Sequence, residues 1–213
     1  MSQAFTILDD LFSAGDQKNI DKVILRPEFP WFYTGEGATV DAVSYKKCLD
    51  PLVKEAPQHF HLFRDANGTK ISTHAPLPDM VATKVLNALG IKEWKWLRAK
   101  ANMQLQRPDF QSDQYNTPHV DCYDADDTLV ILYYANDSDG DTRIFKQRHA
   151  EEEYKNEVIG VVSPIKGRVL VMDGAHRHAG AHPRLNSTRV VLNINVQLPS
   201  KFTSVKDLCA SSH

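Results

Sequence analysis

The chain has 213 residues, of which 42% are hydrophobic and 24% charged, as expected for one globular domain that buries a core. Its net charge of −2 disfavours an extended nucleic-acid-binding surface, and no apolar run approaches the roughly 20 residues of a membrane span. The N-terminus lacks the pattern of a secretory signal, and the three cysteines are widely spaced. We therefore expect a cytoplasmic protein without a disulfide framework.

The first part of the chain, residues 1–93, is predicted to be a mainly helical support. Residues 3–14 place four apolar side chains on one side of a helix. A second helix is predicted over residues 77–89, because apolar residues recur at helical spacing and Gly90 follows in a C-terminal cap position. Residues 39–55 have a weaker helical pattern.

The second part, residues 94–200, is predicted to consist of short strands, with a tail at residues 201–213. A polar loop at residues 106–118 precedes His119, and residues 158–172 have a hairpin pattern. Helices followed by many strands favour a single α+β domain, an antiparallel sandwich or small barrel with helices on one side. The predicted strands cover residues 94–105, 129–134, 142–145, 158–162, 168–172 and 189–198.

Three residues have the chemistry of a metal site. His119 and Asp121 are two residues apart, so on an extended segment their side chains point to the same face. A third ligand, His178, is available beyond the strand-rich region. Two histidines and one carboxylate form the ligand set of non-haem iron(II) oxygenases, which keep coordination positions open. A His-x-Asp pair alone is weak support, because such pairs also occur as surface or hydrogen-bonded pairs.

The context of this pair resembles the 2-oxoglutarate- and iron(II)-dependent dioxygenases, and among them the prolyl 4-hydroxylase-like group. The resemblance covers residues 98–196, and its motifs occur in the family's order. The matching segments are His119-Val120-Asp121, residues 133–137 with the turn at 139–142, residues 164–172, His178-Ala179-Gly180, and Arg189.

The resemblance implies a double-stranded β-helix (a jelly-roll, cupin-like core) with the N-terminal helices packed against it. It implies iron(II) bound by His119, Asp121 and His178, with 2-oxoglutarate as co-substrate held by Arg189 and Tyr134. The expected reaction uses O2, with ascorbate as a supporting reductant, and releases succinate and CO2 while a C–H bond is hydroxylated. The substrate is expected to be a peptidyl (prolyl-type) group or a small molecule, with no membrane or nucleic-acid partner.

Several assignments stay open at this point. His176 and His182 are alternatives to His178, which stands 11 residues before Arg189. Tyr133 is the alternative to Tyr134. Two further functions compete: a cupin-like metal enzyme that does not use 2-oxoglutarate, and a non-catalytic barrel that binds a ligand. Thr142 and Asn102 are predicted to face the interior without an assigned role.

Overall fold

The protein is described by a computed structural model, which covers residues 4–35, 50–121, 127–148, 156–199 and 205. These residues form two antiparallel sheets and two helices. Within them, no helix is long and apolar enough to cross a membrane. The helices are α1 (Ala14–Ile24) and α2 (Pro76–Ala88). The strands are β1 (Phe5–Leu8), β2 (Phe32–Thr34), β3 (Gln58–Arg64), β4 (Lys95–Leu105), β5 (Thr128–Tyr134), β6 (Thr142–Arg148), β7 (Val158–Val162), β8 (Val169–Asp173), β9 (His176–Gly180) and β10 (Thr188–Gln197).

The larger sheet has seven strands in the order β1-β8-β5-β10-β4-β3-β2, and the smaller sheet has the order β7-β6-β9. Strand β10 lies at the centre of the larger sheet, paired with β5 on one side and β4 on the other. Its side chains alternate in character, as the sequence predicts: every second residue is aliphatic, and the residues between include Arg189, Asn193 and Asn195. Because alternate residues of a strand point to opposite faces, β10 gives the sheet one apolar and one polar face.

The apolar face carries the main core. Ile20 and Ile24 of α1 and Val85 of α2 are fully buried in one cluster with Ile131 and Leu192 of the sheet. Burying one such aliphatic side chain contributes roughly 1.5–3 kcal/mol, so both helices are held mainly by this contact. The opposite face of the larger sheet contributes to a second buried cluster, which includes Leu132 and Tyr134 together with Ile144 of β6.

Several predicted elements are confirmed. Helix α2 ends as expected, and Gly90 has the positive φ of 71° that a C-terminal cap favours. Strands β4, β5 and β10 lie where the pattern placed them, and β6 extends the predicted strand at residues 142–145. The segment from 106 to 118 contains no helix or strand longer than a single bridge.

The helix predicted over residues 3–14 is wrong. Residues Phe5–Leu8 form β1, which pairs with β8 in antiparallel register, and the helix begins only at Ala14. Ser13 starts it with a capping box, in which its hydroxyl accepts a hydrogen bond from the Asp16 backbone and the Asp16 carboxylate accepts one from the Ser13 backbone. This cap, and the pairing partner of β1, outweigh the weak helical spacing upstream.

The hairpin predicted over residues 158–172 is also wrong, although both of its strands exist. Strand β7 pairs with β6, whereas β8 pairs with β5 and β1, so the two strands belong to different sheets. A mainly helical N-terminal support is not supported either, because the described residues between 4 and 93 contribute three strands to the larger sheet besides α1 and α2. Most of the weak helical pattern at residues 39–55 lies outside the described residues.

Candidate metal centre

His119, Asp121 and His178 come together in the structure. Each offers one ligand atom, and these atoms all lie within 4.8 Å of one another. Nε2 of His119 is 4.0 Å from Oδ1 of Asp121, and Nε2 of His178 is 3.4 Å from Oδ2 of the same carboxylate. Two imidazole nitrogens and one carboxylate oxygen therefore converge, which is the donor set that the sequence predicted.

Backbone pairing explains why residues 59 positions apart in the chain meet. His119 and His178 form an antiparallel bridge in which each backbone N–H donates to the other carbonyl, at 3.0 and 2.9 Å. The centroids of their rings are 4.8 Å apart. His178 is itself fixed in β9 by its pairing with Ile144 of β6. The bridge thus holds both imidazoles on one wall before any ion binds.

The protonation of His119 suits a metal ligand. Its Nδ1 donates a hydrogen bond to the carbonyl oxygen of Thr117 at 3.0 Å, which leaves Nε2 to face Asp121 and His178. Burial, together with the nearby charge of His178, lowers the pKa of His119 to about 3. The ring is consequently neutral at physiological pH, and a carbonyl partner on the second nitrogen is the usual arrangement for a metal-bound histidine.

Asp121 is buried and held from several sides, with 1% of its side chain exposed. Its Oδ1 accepts a hydrogen bond of 2.5 Å from the guanidinium of Arg98. Its Oδ2 accepts from the amides of Asn193, at 3.0 Å, and Asn195, at 3.2 Å. Burial alone would raise the pKa of Asp121, but the charge of Arg98 and the contact with His178 hold it well below its usual range. The carboxylate is therefore ionised.

Arg189 lies at the other end of the same cavity and is 4% exposed. Its two terminal nitrogens donate to Gln104 Oε1 and Thr142 Oγ1, both at 2.7 Å, whereas its Nε has no partner. No carboxylate among the described residues lies within 4 Å of it, and burial lowers its pKa despite the more distant charge of Asp141. A buried guanidinium without an adjacent counter-ion is costly, so this end of the cavity is suited to an anion.

Tyr134 and two glycines complete the surroundings of Arg189. The Tyr134 hydroxyl donates to Thr142 Oγ1 at 2.8 Å, and the guanidinium carbon lies 5.8 Å from the centre of the tyrosine ring. A Cβ atom on Gly180 would lie 3.1 Å from an Arg189 terminal nitrogen, and one on Gly140 would lie 3.0 Å from its Cδ. Both glycines therefore keep space for the arginine side chain. Thr142 accepts two hydrogen bonds, which leaves its own proton to donate to a ligand.

One cavity connects the histidines to Arg189. Its empty volume is about 460 Å³ when the open mouth is included. Most of its wall is polar, and the aliphatic side chains are those of Leu132 and Val191. The residues that line it are Gln58, Lys100, Asn102, Gln104, Asn116, His119, Leu132, Thr142, His178, Gly180, Arg189, Val191 and Asn193.

Solved structures share this architecture. No protein-family model and no curated protein matches the sequence. A 2OG-Fe(II) oxygenase family oxidoreductase from Burkholderia pseudomallei superposes with a TM-score of 0.63 at 16% identity, over 91% of this chain and 85% of that one. The α-ketoglutarate-dependent epimerase SnoN from nogalamycin biosynthesis gives 0.59 at 10% identity, over 92% and 79%. A Trichoplax adhaerens prolyl hydroxylase, in complex with a peptide fragment of the hypoxia inducible factor oxygen degradation domain, gives 0.54 at 12% identity, over 99% and 88%.

The chain has the 2OG-Fe(II) oxygenase fold.

Two features of the chain fit the metal and the co-substrate associated with this fold. His119, Asp121 and His178 provide nitrogen and oxygen donors, and borderline metals such as iron(II) accept both. Arg189 provides a buried cation whose Nε has no partner, and it lines the same cavity as His119 and His178. Both features are properties of the residues and are independent of the structural comparisons.

The residues that the sequence left as alternatives lie in different parts of the structure. Among the described residues, the ligand atoms that converge belong to His119, Asp121 and His178, and neither His176 nor His182 joins them. Nδ1 of His176 donates to the carbonyl of Phe145, and Nδ1 of His182 donates to that of Leu105. Tyr133 packs its ring against Phe12 in the helix-side core, at 5.0 Å between centroids, and Tyr134 is the tyrosine beside Arg189. Asn102 and Thr142 line the cavity, as predicted.

Apart from Asn102, sequence reasoning missed the residues on the polar face of β4. Arg98 and Gln104 make the contacts with Asp121 and Arg189 that are described above, and Lys100 and Asn102 line the cavity between them. The sequence does carry a signal for them. The four residues alternate with Leu97, Ala99, Ala101 and Met103, the period of a strand with one apolar face.

Proposed function

We propose that this protein is a 2-oxoglutarate- and iron(II)-dependent dioxygenase that hydroxylates a C–H bond of its substrate. The observation that carries the proposal is the pairing, within one cavity, of a His-Asp-His donor set with a buried arginine that lacks an adjacent counter-ion. A metal enzyme that does not use 2-oxoglutarate has no need of the second feature. The ten strands of the described residues are interpreted as a double-stranded β-helix, because the chain shares the fold of a solved 2OG-Fe(II) oxygenase family protein.

Each end of the cavity has a distinct task in this proposal. His119, Asp121 and His178 would hold iron(II), which supplies dioxygen activation coupled to the oxidative decarboxylation of 2-oxoglutarate. Arg189 would bind the distal carboxylate of 2-oxoglutarate, because a planar guanidinium donates to both carboxylate oxygens at once. Thr142 and Tyr134 share one hydrogen-bonded chain with Arg189 and would orient the same carboxylate.

The substrate is proposed to be a peptidyl (prolyl-type) group or a small molecule. The prolyl hydroxylase of this fold was solved with a peptide fragment, which favours the first class. The polar wall of the cavity, with several carboxamide side chains and few aliphatic ones, favours a substrate that makes hydrogen bonds. A cytoplasmic location is also proposed, on the basis of the few and widely spaced cysteines.

The direct test is the oxidation of 2-oxoglutarate by purified protein supplied with iron(II), ascorbate and dioxygen. We expect slow succinate formation without substrate, and faster formation with a substrate of the correct class. Asp121→Ala should abolish succinate formation because it removes the carboxylate ligand. Asp109→Ala is the matched control, since Asp109 is a half-exposed carboxylate paired with Arg107 outside the cavity.

Two results would contradict the proposal. If wild-type protein bound iron(II) but formed no succinate and showed no affinity for 2-oxoglutarate, a cupin-like metal enzyme would become the better assignment. If it bound neither iron(II) nor 2-oxoglutarate while remaining folded, a non-catalytic barrel would be favoured. Comparing succinate formation with prolyl peptides and with hydroxyl- or amide-bearing metabolites would separate the two substrate classes.

A further inference from the structure

A network of hydrogen bonds connects Asp121 to two neighbouring strands. Arg98 on β4 stands opposite Asn195 on β10 in the sheet register. Its Nε donates to Asn195 Oδ1 at 3.2 Å, while a terminal nitrogen donates to Asp121. Asn195 in turn donates to Asp121 Oδ2 and to Asn193 Oδ1. Arg98 therefore holds the carboxylate directly and also through an asparagine.

The network restricts how Asp121 can bind an ion. A carboxylate offers about four acceptor positions, two on each oxygen. Two amides, those of Asn193 and Asn195, occupy Oδ2, which also lies 3.4 Å from Nε2 of His178, and Arg98 occupies one position on Oδ1. One position remains, on Oδ1. The carboxylate is thus prepared to bind through a single oxygen, which leaves more of the coordination sphere for other ligands.

The positive charge of Arg98 is the second feature that would affect a bound metal. Arg98 is only 21% exposed in its side chain, so its positive charge is poorly screened by water. The charge draws electron density from Asp121 and weakens it as a donor. It also repels added positive charge on a bound metal, and this repulsion is stronger for iron(III) than for iron(II).

We propose that Arg98 is a positioning residue of the metal centre, which fixes Asp121 as a one-oxygen ligand and biases bound iron toward the ferrous state. The inference rests on the proposed function for the identity of the metal. Its geometric part, the orientation of Asp121, concerns any divalent ion. Lysine could supply the charge, but only arginine can donate to Asp121 and Asn195 from two separate nitrogens.

The test measures metal binding and redox potential rather than turnover. Cobalt(II) affinity is determined by titration of the visible absorption of the protein, and the Fe(III)/Fe(II) midpoint potential by mediated titration without 2-oxoglutarate. The variants are Arg98→Gln, which removes charge and geometry, and Arg98→Lys, which keeps the charge alone. Arg64→Gln is the matched control, because Arg64 is a buried arginine paired with Asp79 away from the cavity.

Arg98→Gln removes both the orientation of Asp121 and the repulsion between Arg98 and the metal, which affect affinity in opposite directions. We expect the loss of orientation to dominate, so that cobalt(II) binds about 10- to 100-fold more weakly, the usual effect of losing a partner of a metal ligand. The midpoint potential of this variant should shift to more negative values. Arg98→Lys should keep a potential near that of the wild type but lose part of the affinity. Arg64→Gln should match the wild type in both measurements.

Unchanged affinity and unchanged potential in Arg98→Gln would overturn the inference while leaving the proposed metal site intact. If Arg98→Gln does not fold, as judged by circular dichroism, Arg98→Lys decides: wild-type affinity in that variant would overturn the positioning role. Failure of the wild-type protein to bind cobalt(II) or iron(II) would instead reject the proposed function, and this inference with it.

Discussion

Replacing Arg189 by methionine would test the anion site most directly. Methionine keeps much of the length and apolar volume of the arginine stem but removes every N–H donor. In the free protein the change removes hydrogen bonds to Gln104 and Thr142, at 2.7 Å each, and also a buried charge without an adjacent carboxylate. These effects on the free energy of unfolding oppose each other, so we expect the variant to fold.

The effect on 2-oxoglutarate binding should be large. Removing one partner of a buried ion pair costs about 3–5 kcal/mol, because the other charge remains buried and unpaired. At about 1.4 kcal/mol per factor of ten, the dissociation constant of 2-oxoglutarate should rise roughly 100- to 4,000-fold. Arg189→Lys should raise it less, since lysine keeps the charge but not the two-pronged geometry.

Isothermal titration with manganese(II) bound and dioxygen excluded measures this affinity without turnover. Manganese(II) affinity is the internal control, because Arg189 lies at the other end of the cavity from Asp121 and should not affect it. A dissociation constant for 2-oxoglutarate that changed less than about threefold in Arg189→Met would refute the assignment of Arg189 as the carboxylate-binding residue, since it would correspond to less than about 1 kcal/mol.

Three smaller effects should accompany this one. Gly180→Ala should weaken 2-oxoglutarate binding by about tenfold (~1.4 kcal/mol) in the same titration, with no change in metal affinity, because its Cβ would press on the Arg189 terminal nitrogen; equal affinity would show that the guanidinium can move. The pKa of His119 is held at about 3 against an ordinary 6.5, so between these values the unfolded chain binds more protons than the folded one. The free energy of unfolding of the metal-free protein should therefore fall with acidification through this range, by up to about 1.4 kcal/mol per pH unit, and urea denaturation should show a smaller fall in His119→Gln. Ser13→Ala should lower the free energy of unfolding by about 1 kcal/mol through loss of the α1 cap, and an unchanged urea midpoint would contradict that role.

The fold could be predicted from the sequence where one local signal dominated. Strand β5 is an unbroken apolar run and α2 ends at a glycine with positive φ, so neither needs long-range information. The helix predicted at residues 3–14 was wrong because the structure of this segment depends on a long-range contact. Four residues there form a strand only because β8, more than 160 residues later, offers an edge for pairing. Local spacing contains no information about that partner.

Some residues of the candidate site could likewise be predicted from local spacing or motif order, whereas others depended on contacts between distant parts of the chain. The spacing of His119 and Asp121 on an extended segment predicted that their side chains converge, and the family's motif order led to His178 and Arg189. The choice between Tyr133 and Tyr134 could not be made from the sequence alone, since both belong to one apolar run and a shift of one residue exchanges the faces of a strand. In the structure Tyr133 packs against Phe12 on the helix side of the sheet, so Tyr134 is the tyrosine that faces the cavity side.

The contact between Arg98 and Asp121 was hidden for a more specific reason. The register of β4 against β10 shifts next to Arg98: Asn195 pairs with Arg98, but Val196 pairs with Trp96. The intervening Leu97 is the additional residue of a β-bulge, a feature often found beside active sites because it redirects a side chain. On the Arg98 side of the bulge, the polar residues of β4 face the cavity together with those of β10. No residue type in this stretch predicts the bulge. The alternation of Arg98 with apolar residues predicts the face of β4 on which it lies, but it does not predict that Asp121 is its partner.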